Sequence, residues 1–314
     1  MKVVFTPGGE YTDSILQHFS FEDYDDGKED IVLFYGYNGY RNFETLNKYR
    51  NSIRIFCSTE QPCGFDLEPQ FHMQCGSNFD IVYTICPYTG KWLNEVVYGY
   101  EKYRLWGFCL GDKFVCREQP EKEFDAIYWG GVYHRDHVDI IETISKFKYH
   151  YFTLTTPGPC ANLLSGFNIP RIRMWDILRR TKVMVGSNIL YYPPGRSSGI
   201  KAIPRFEENE AFNRIDYGIA PQLKTRPIEA ALNKTLLVLK RTPWNLIDNW
   251  FVENEEFVSY GSKEELEHII KDVSENWNRY TPIVERAYRK ALGSLTTSRF
   301  MERVRTDVKG LVRR

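Results

Sequence analysis

The feature that most constrains the fold of this 314-residue chain is a repeated alternation of short apolar runs with polar, helix-spaced stretches. The runs at 2–7 (KVVFTP), 30–36 (DIVLFYG), 53–59 (IRIFCST) and 80–87 (DIVYTICP) are bounded by turn residues, the mark of strands buried on both faces. The segments 11–19 and 39–49 between them carry helical spacing. Residues 117–125 (REQPEKEFD) are charged, contain a proline and read as a linker. The rhythm then restarts, with strands at 125–131, 149–156, 182–188 and 235–239 and helices at 137–147, 174–181 and 227–233. A helix at 262–273 has Ser262 as its N-cap and Glu265 at its third position, and the tail to 314 is polar, Arg-rich and helical. Such alternation predicts two α/β domains in tandem, 1–118 and 122–295, each a parallel sheet with helices on both faces. Ligands of such sheets sit at the carboxyl ends of the strands.

Composition excludes several other classes. At 42% hydrophobic and 26% charged residues the chain is globular and shows no sign of disorder. The N-terminus, MKVVFTPGGE, has an apolar run too short for a secretory signal or a membrane span, so a cytoplasmic protein is expected. Seven cysteines, at 57, 63, 75, 86, 109, 116 and 160, form no CxxC pair, which favours reduced, buried thiols over a zinc site. Net charge is zero but uneven. Residues 1–118 hold 11 basic and 17 acidic side chains, and residues 119–314 hold 30 and 24. The basic half suits an anionic ligand.

Within that half, 222–239 (QLKTRPIEAALNKTLLVL) sets Arg226 and Glu229 three residues apart on one face of a helix. Arginine pairs bidentately with phosphate oxygens, and a carboxylate accepts both hydroxyls of a cis-diol. The pair has the chemistry to hold a nucleoside diphosphate. An i, i+3 surface salt bridge is the plain alternative. Upstream, 189–221 is too long and proline-rich for an ordinary connection and carries Arg196, Lys201, Arg205 and Arg214. It reads as a substrate-closing or partner-contacting loop, or as a passive insertion.

Glu229 is followed by Ala230, Ala231, Leu232 and Asn233 and then a buried strand. This segment, with FVSYGSKEELEHIIKDV and ERAYRKALGSLTTSRFMERV after it, resembles the nucleotide-binding region of GT-B glycosyltransferases over residues 220–303. Within that superfamily it resembles the spore-maturation-type enzymes and the phage DNA β-glucosyltransferase family. The resemblance implies a GT-B fold of two Rossmann-like domains facing a cleft, with 296–314 returning to the first domain. It implies a nucleotide-sugar co-substrate, UDP-linked as a family-level expectation, with no cofactor and no metal. The strand ending in Gly130 and Gly131 resembles the family's donor-diphosphate loop, with His134 and Arg135 in the place of its basic residues. Val132 stands where that family has Ser.

On the acceptor side Glu60, at the end of a predicted strand, is the candidate general base, with a turn or helix-capping glutamate as the plain alternative and Glu10, Asp13, His18 and His72 in reserve. Gly8, Gly9 and Glu10 form the candidate acceptor loop and lack the full dinucleotide fingerprint. His134 and His137 lack a third ligand at helical spacing, so no metal site is read. The expected activity is transfer of a sugar to a hydroxyl of a glycan, lipid-linked or small-molecule acceptor. The alternatives are a hydroxymethylated pyrimidine in viral DNA as acceptor, a non-catalytic sugar-nucleotide-binding module, and an epimerase acting on a UDP sugar.

Overall fold

The computed structural model describes residues 1–5, 17–35, 43–59, 76–155, 157–191 and 219–312. The chain divides into two compact units. One is Met1–Gly111 with Ile189–Leu223 and Thr297–Arg314, and the other is Asp112–Asn188 with Lys224–Thr296.

The first unit holds a parallel sheet of β1 (Lys2–Phe5), β2 (Ile31–Tyr35), β3 (Ile53–Cys57), β4 (Ile81–Thr84) and β5 (Tyr103–Leu105). The strands lie side by side in sequence order. Alternation along them puts Val32, Phe34, Phe56 and Val82 on one face, where they cluster with Leu46 of α1 (Phe43–Lys48) and Trp92 of α2 (Pro87–Trp92).

The second unit holds β6 (Phe124–Trp129), α3 (Arg135–Ile144), β7 (Tyr149–Thr153), β8 (Gly166–Phe167), α4 (Arg171–Arg179) and β9 (Thr181–Gly186). An antiparallel pair, β10 (Ile189–Tyr191) and β11 (Ile219–Pro221), flanks 192–218, which lie outside the described residues with Arg196, Lys201, Arg205 and Arg214. Then follow α5 (Arg226–Leu232), β12 (Leu236–Lys240), β13 (Val258–Tyr260), α6 (Lys263–Glu275) and α7 (Trp277–Ser294). The six-stranded sheet is parallel throughout, in the order β13-β12-β9-β6-β7-β8. Its winding reverses between β6 and β9. Val138 and Ile141 of α3 and Leu266 and Ile270 of α6 cover one face, against Ala126, Val183 and Val238. The Ser262 hydroxyl caps α6 by accepting the Glu265 N–H at 3.2 Å. The Glu265 carboxylate accepts from Gly261 at 2.7 Å.

The last helix, α8 (Thr297–Val312), belongs to the first unit and covers the other face of its sheet. The Phe300 ring lies 4.9 Å from Tyr83, 5.0 Å from Trp106 and 5.7 Å from Phe21. Asp307 accepts the Tyr83 hydroxyl at 2.6 Å and pairs with Arg104 at 2.6 Å.

The charged stretch 117–125, read from composition as a linker, lies inside the second unit. Lys122 is the reason. Its ammonium donates to the carbonyls of Arg179 at 2.7 Å, Thr181 at 3.0 Å and Lys234 at 2.7 Å, so it ties the amino ends of β9 and β12 to the end of α4. Burial lowers the Lys122 pKa to about 7, and three carbonyl oxygens stand where water would otherwise solvate the charge. Cys57, Cys86, Cys109, Cys116 and Cys160 are free and buried. Among the described residues no helix is long and apolar enough to cross a membrane, and no group of three His, Cys, Asp or Glu side chains could hold a metal ion.

Candidate functional site

In an open parallel sheet the point where winding reverses leaves a crevice at the carboxyl ends of the strands. In the second unit that point lies between β6 and β9. The turn after β6 is Gly130–Gly131, and the helix following β9 in the same unit is α5, which begins at Arg226. Pro227 stands in its first turn, where a missing N–H costs nothing, and Pro227 to Leu232 are all buried.

Glu229 is 1% exposed although it is charged. Three donors approach its carboxylate, all at long range. Arg171 Nε lies 3.5 Å and Trp175 Nε1 3.4 Å from Oε1, and the Thr225 hydroxyl lies 3.4 Å from Oε2. The last contact explains why Thr225, at the N-cap of α5, makes no capping bond. Contacts of this length are weak, so the carboxylate is enclosed without being strongly satisfied. The surrounding structure holds the helix rather than the carboxylate. Asn233 donates to the Glu229 carbonyl at 2.8 Å and accepts from Arg179 Nε at 2.8 Å.

Arg226 turns towards the glycine turn. A Cβ added to Gly130 would meet Arg226 Nη2 at 2.8 Å and the Tyr128 hydroxyl at 3.1 Å, and Gly130 has φ +150°. Only glycine admits both the conformation and the close approach. Burial lowers the pKa of Arg226, with Tyr128 opposing that shift. Arg226 Nε and Trp129 Nε1 are shut off from solvent and have no hydrogen-bond partner among the described residues. Buried donors of this kind call for an acceptor. Arg171, Arg226 and Glu229 together carry two guanidinium groups to one carboxylate, a surplus that suits an anion.

Gly131 is constrained by sterics alone. A Cβ there would come within 2.5 Å of both Thr155 Oγ1 and the Tyr133 ring. Tyr133 is 69% exposed and pinned at both ends. Its hydroxyl donates to Thr155 at 3.1 Å and its N–H to His137 Nδ1 at 3.2 Å. Because Nδ1 accepts, the His137 proton sits on Nε2. Burial, then Lys224 and Arg226, push the His137 pKa down to about 3. His137 is thus a neutral structural histidine behind the turn.

The structure therefore brings Gly130, Gly131, Arg226 and Glu229 into one region. It does not bring Arg135 or His134 to the same guanidinium–carboxylate cluster. Arg135 is 67% exposed and pairs along α3 with Asp139 at 3.0 Å and Glu142 at 3.5 Å. His134 caps α3, its Nδ1 accepting the Asp136 N–H at 3.3 Å. His18 is buried in the first unit, its ring 4.4 Å from Phe19. Glu60, Gly8, Gly9, Glu10, Asp13 and His72 lie outside the described residues.

Arg171, Trp175 and Trp129 complete the site and were not singled out from sequence. A signal for two of them exists. Pro170 marks the true start of α4, three residues ahead of the predicted one, and that start puts Arg171 and Trp175 four apart on one helix face.

Known proteins now bear on this geometry. Residues 113–306 match the family described as glycosyl transferase-like, a stretch that takes in nearly all of the second unit and the first turns of α8. The chain belongs to that family. No curated protein matches its sequence. Among solved structures, sucrose-phosphate synthase from Thermosynechococcus elongatus superposes with a TM-score of 0.58 at 9% identity, over 93% of this chain and 77% of that one. Anabaena HepE, in complex with UDP and glucose, gives 0.61 at 8% identity, over 90% and 78%. The pneumococcal O-GlcNAc transferase GtfA, in complex with UDP and GlcNAc, gives 0.55 at 11%, over 91% and 57%. At such identities the likeness is one of fold. That fold is GT-B, so this glycosyltransferase carries the architecture the R-x-x-E segment implied.

Proposed function

We propose that this protein transfers a sugar from a UDP sugar to a hydroxyl of a glycan, lipid-linked or small-molecule acceptor, without a metal ion. The observation that carries the reading is Glu229. It is an enclosed, weakly satisfied carboxylate one helical turn from Arg226, at the winding reversal of the unit that matches the family. Two structures similar in fold, HepE and GtfA, hold UDP together with a sugar. In this reading Glu229 accepts the ribose hydroxyls. Arg226 and the Gly130–Gly131 turn receive the diphosphate, which supplies the acceptor that Arg226 Nε lacks among the described residues.

The reaction then follows from charge. The acceptor oxygen forms a bond to the anomeric carbon as the bond to the diphosphate oxygen breaks. The electron pair leaves on the nucleotide, where Arg226 stabilises the added negative charge. The acceptor proton passes to a base, for which Glu60 is the proposed residue if configuration inverts. The DNA reading leaned on four basic residues at 196–214, and no observation favours it.

The test is a thermal-shift series with UDP, GDP, ADP and CMP. Stabilisation by UDP that grows with concentration is the expected result. EDTA should leave turnover of a UDP sugar unchanged. No shift from any nucleotide would sink the reading.

A further inference from the structure

Glu229 cannot orient itself. Its side chain has several rotamers, and the three donors that surround it come from different parts of the chain: Thr225 ahead of its own helix, and Arg171 and Trp175 from α4. Only Arg171 brings a charge. Arg171 is also anchored. It is the first residue of α4 after Pro170, its side chain is 14% exposed, and its guanidinium carbon lies 5.7 Å from the centre of the Trp129 ring. Trp129 is itself 3% exposed, so the ring offers a fixed surface. A guanidinium held within cation–π range of a buried indole is restricted in position, and its Nε then fixes which carboxylate oxygen faces inward. A carboxylate has about four lone-pair positions, so one inward contact leaves outer positions for a diol.

We propose that Arg171 is a positioning residue for donor selection: held against Trp129, it turns the Glu229 carboxylate so that it can read both hydroxyls of a ribose. The inference rests on the ribose reading of Glu229 given above. It touches the nucleotide only through Glu229, so its signature is a loss of sugar discrimination rather than a general loss of binding.

Calorimetry on the full chain with UDP, 2′-deoxy-UDP and pyrophosphate tests it. The wild type should bind UDP about tenfold more tightly than 2′-deoxy-UDP, the worth of one hydrogen bond to a charged group. Arg171→Met should bring that ratio to about one. Arg171→Lys keeps the charge but loses the planar fork. It should lower the ratio several-fold while leaving pyrophosphate affinity within about twofold. A thermal melt reports whether each variant folds, and if Arg171→Met does not, Arg171→Lys decides alone. A wild-type ratio retained in the folded variants overturns the proposal. Glu229→Gln separates the two ideas. If Glu229→Gln abolishes the ratio and the Arg171 variants keep it, the positioning role fails and the ribose reading stands. If the wild type shows no preference for ribose, the ribose reading fails and takes this proposal with it.

Discussion

The two sheets of this protein are made from the same kind of strand and are wound differently. In the first unit the five strands lie in sequence order, so among the described strands the winding never reverses. In the second it reverses between β6 and β9. The contents of the two units differ in step. The first packs aromatic rings around Phe300, with Phe21, Tyr83 and Trp106 against it. The second packs aliphatic side chains between sheet and helices, then encloses a carboxylate and exposes its carbonyl-rich amino ends to a buried lysine. Burying apolar rings is favourable wherever they are, whereas enclosing an incompletely bonded carboxylate costs free energy. The difference teaches where to look for function. At the reversal point of the second unit stands an enclosed carboxylate that apolar packing does not account for.

That contrast can be broken by experiment. The largest effect should come from Phe300→Ala, which removes a ring from the centre of the aromatic cluster. A loss of about 4 kcal/mol in chemical denaturation is expected. UDP affinity of the folded fraction should stay within about twofold, because Phe300 packs inside the first unit and Glu229 belongs to the second. A large fall in affinity at unchanged stability would mean the cluster serves the ligand as well.

Glu229→Gln should do the reverse. Loss of a charged acceptor should weaken UDP by about 2 kcal/mol, roughly thirtyfold, by calorimetry. Stability without ligand should fall only slightly, since the contacts to the carboxylate are all long, although Arg171 and Arg226 lose a counter-charge. If the variant melts well below the wild type, Glu229 is a structural residue and the contrast between the units collapses.

His137 offers a smaller effect that titrates. Its pKa in the folded chain, about 3, lies below the reference value of 6.5 because of burial and then of Lys224 and Arg226. The folded state therefore binds fewer protons than the unfolded one between those values. The stabilisation is complete above pH 6.5 and is lost as pH falls towards 3, at about 1.4 kcal/mol per unit. Denaturation at pH 7.0 and 5.5 should show a steeper loss in the wild type than in His137→Gln. Comparing the two chains matters because burial also lowers His150. Parallel slopes would show that His137 takes up its proton readily and lies less enclosed than the structure has it.

Legibility from sequence divides along the same line. Strands of four or more residues were readable because each is a continuous apolar run, whereas β5, with three residues, and β8, with two, are too short to carry a period. Periodicity also says nothing about strand order, so the unreversed sheet of the first unit could not be read from it. Arg226 and Glu229 were readable because they share one helix. Arg171 and Trp129 were not, because only tertiary packing brings them to Glu229 from 58 and 100 residues away. Lys122 misled in the opposite sense. A charged stretch reads as solvated, and nothing local announces that three carbonyls will surround one of its lysines.

Arg135 is the smallest test and the one that most sharpens the boundary of the site. Family likeness set it beside the donor diphosphate, in the loop that follows the glycine pair. In the structure its guanidinium runs back along α3 to Asp139 and Glu142, on a side chain that is 67% exposed. An exposed pair of that kind contributes less than about 1 kcal/mol. Arg135→Ala should therefore change stability by under about 0.5 kcal/mol and UDP affinity by no more than about twofold, with calorimetry at low salt giving the most sensitive reading. A tenfold loss would require the guanidinium to leave its two carboxylates when nucleotide binds. The site would then extend from Arg226 across the Gly130–Gly131 turn to the first turn of α3, with Val132 and the exposed Tyr133 ring inside it.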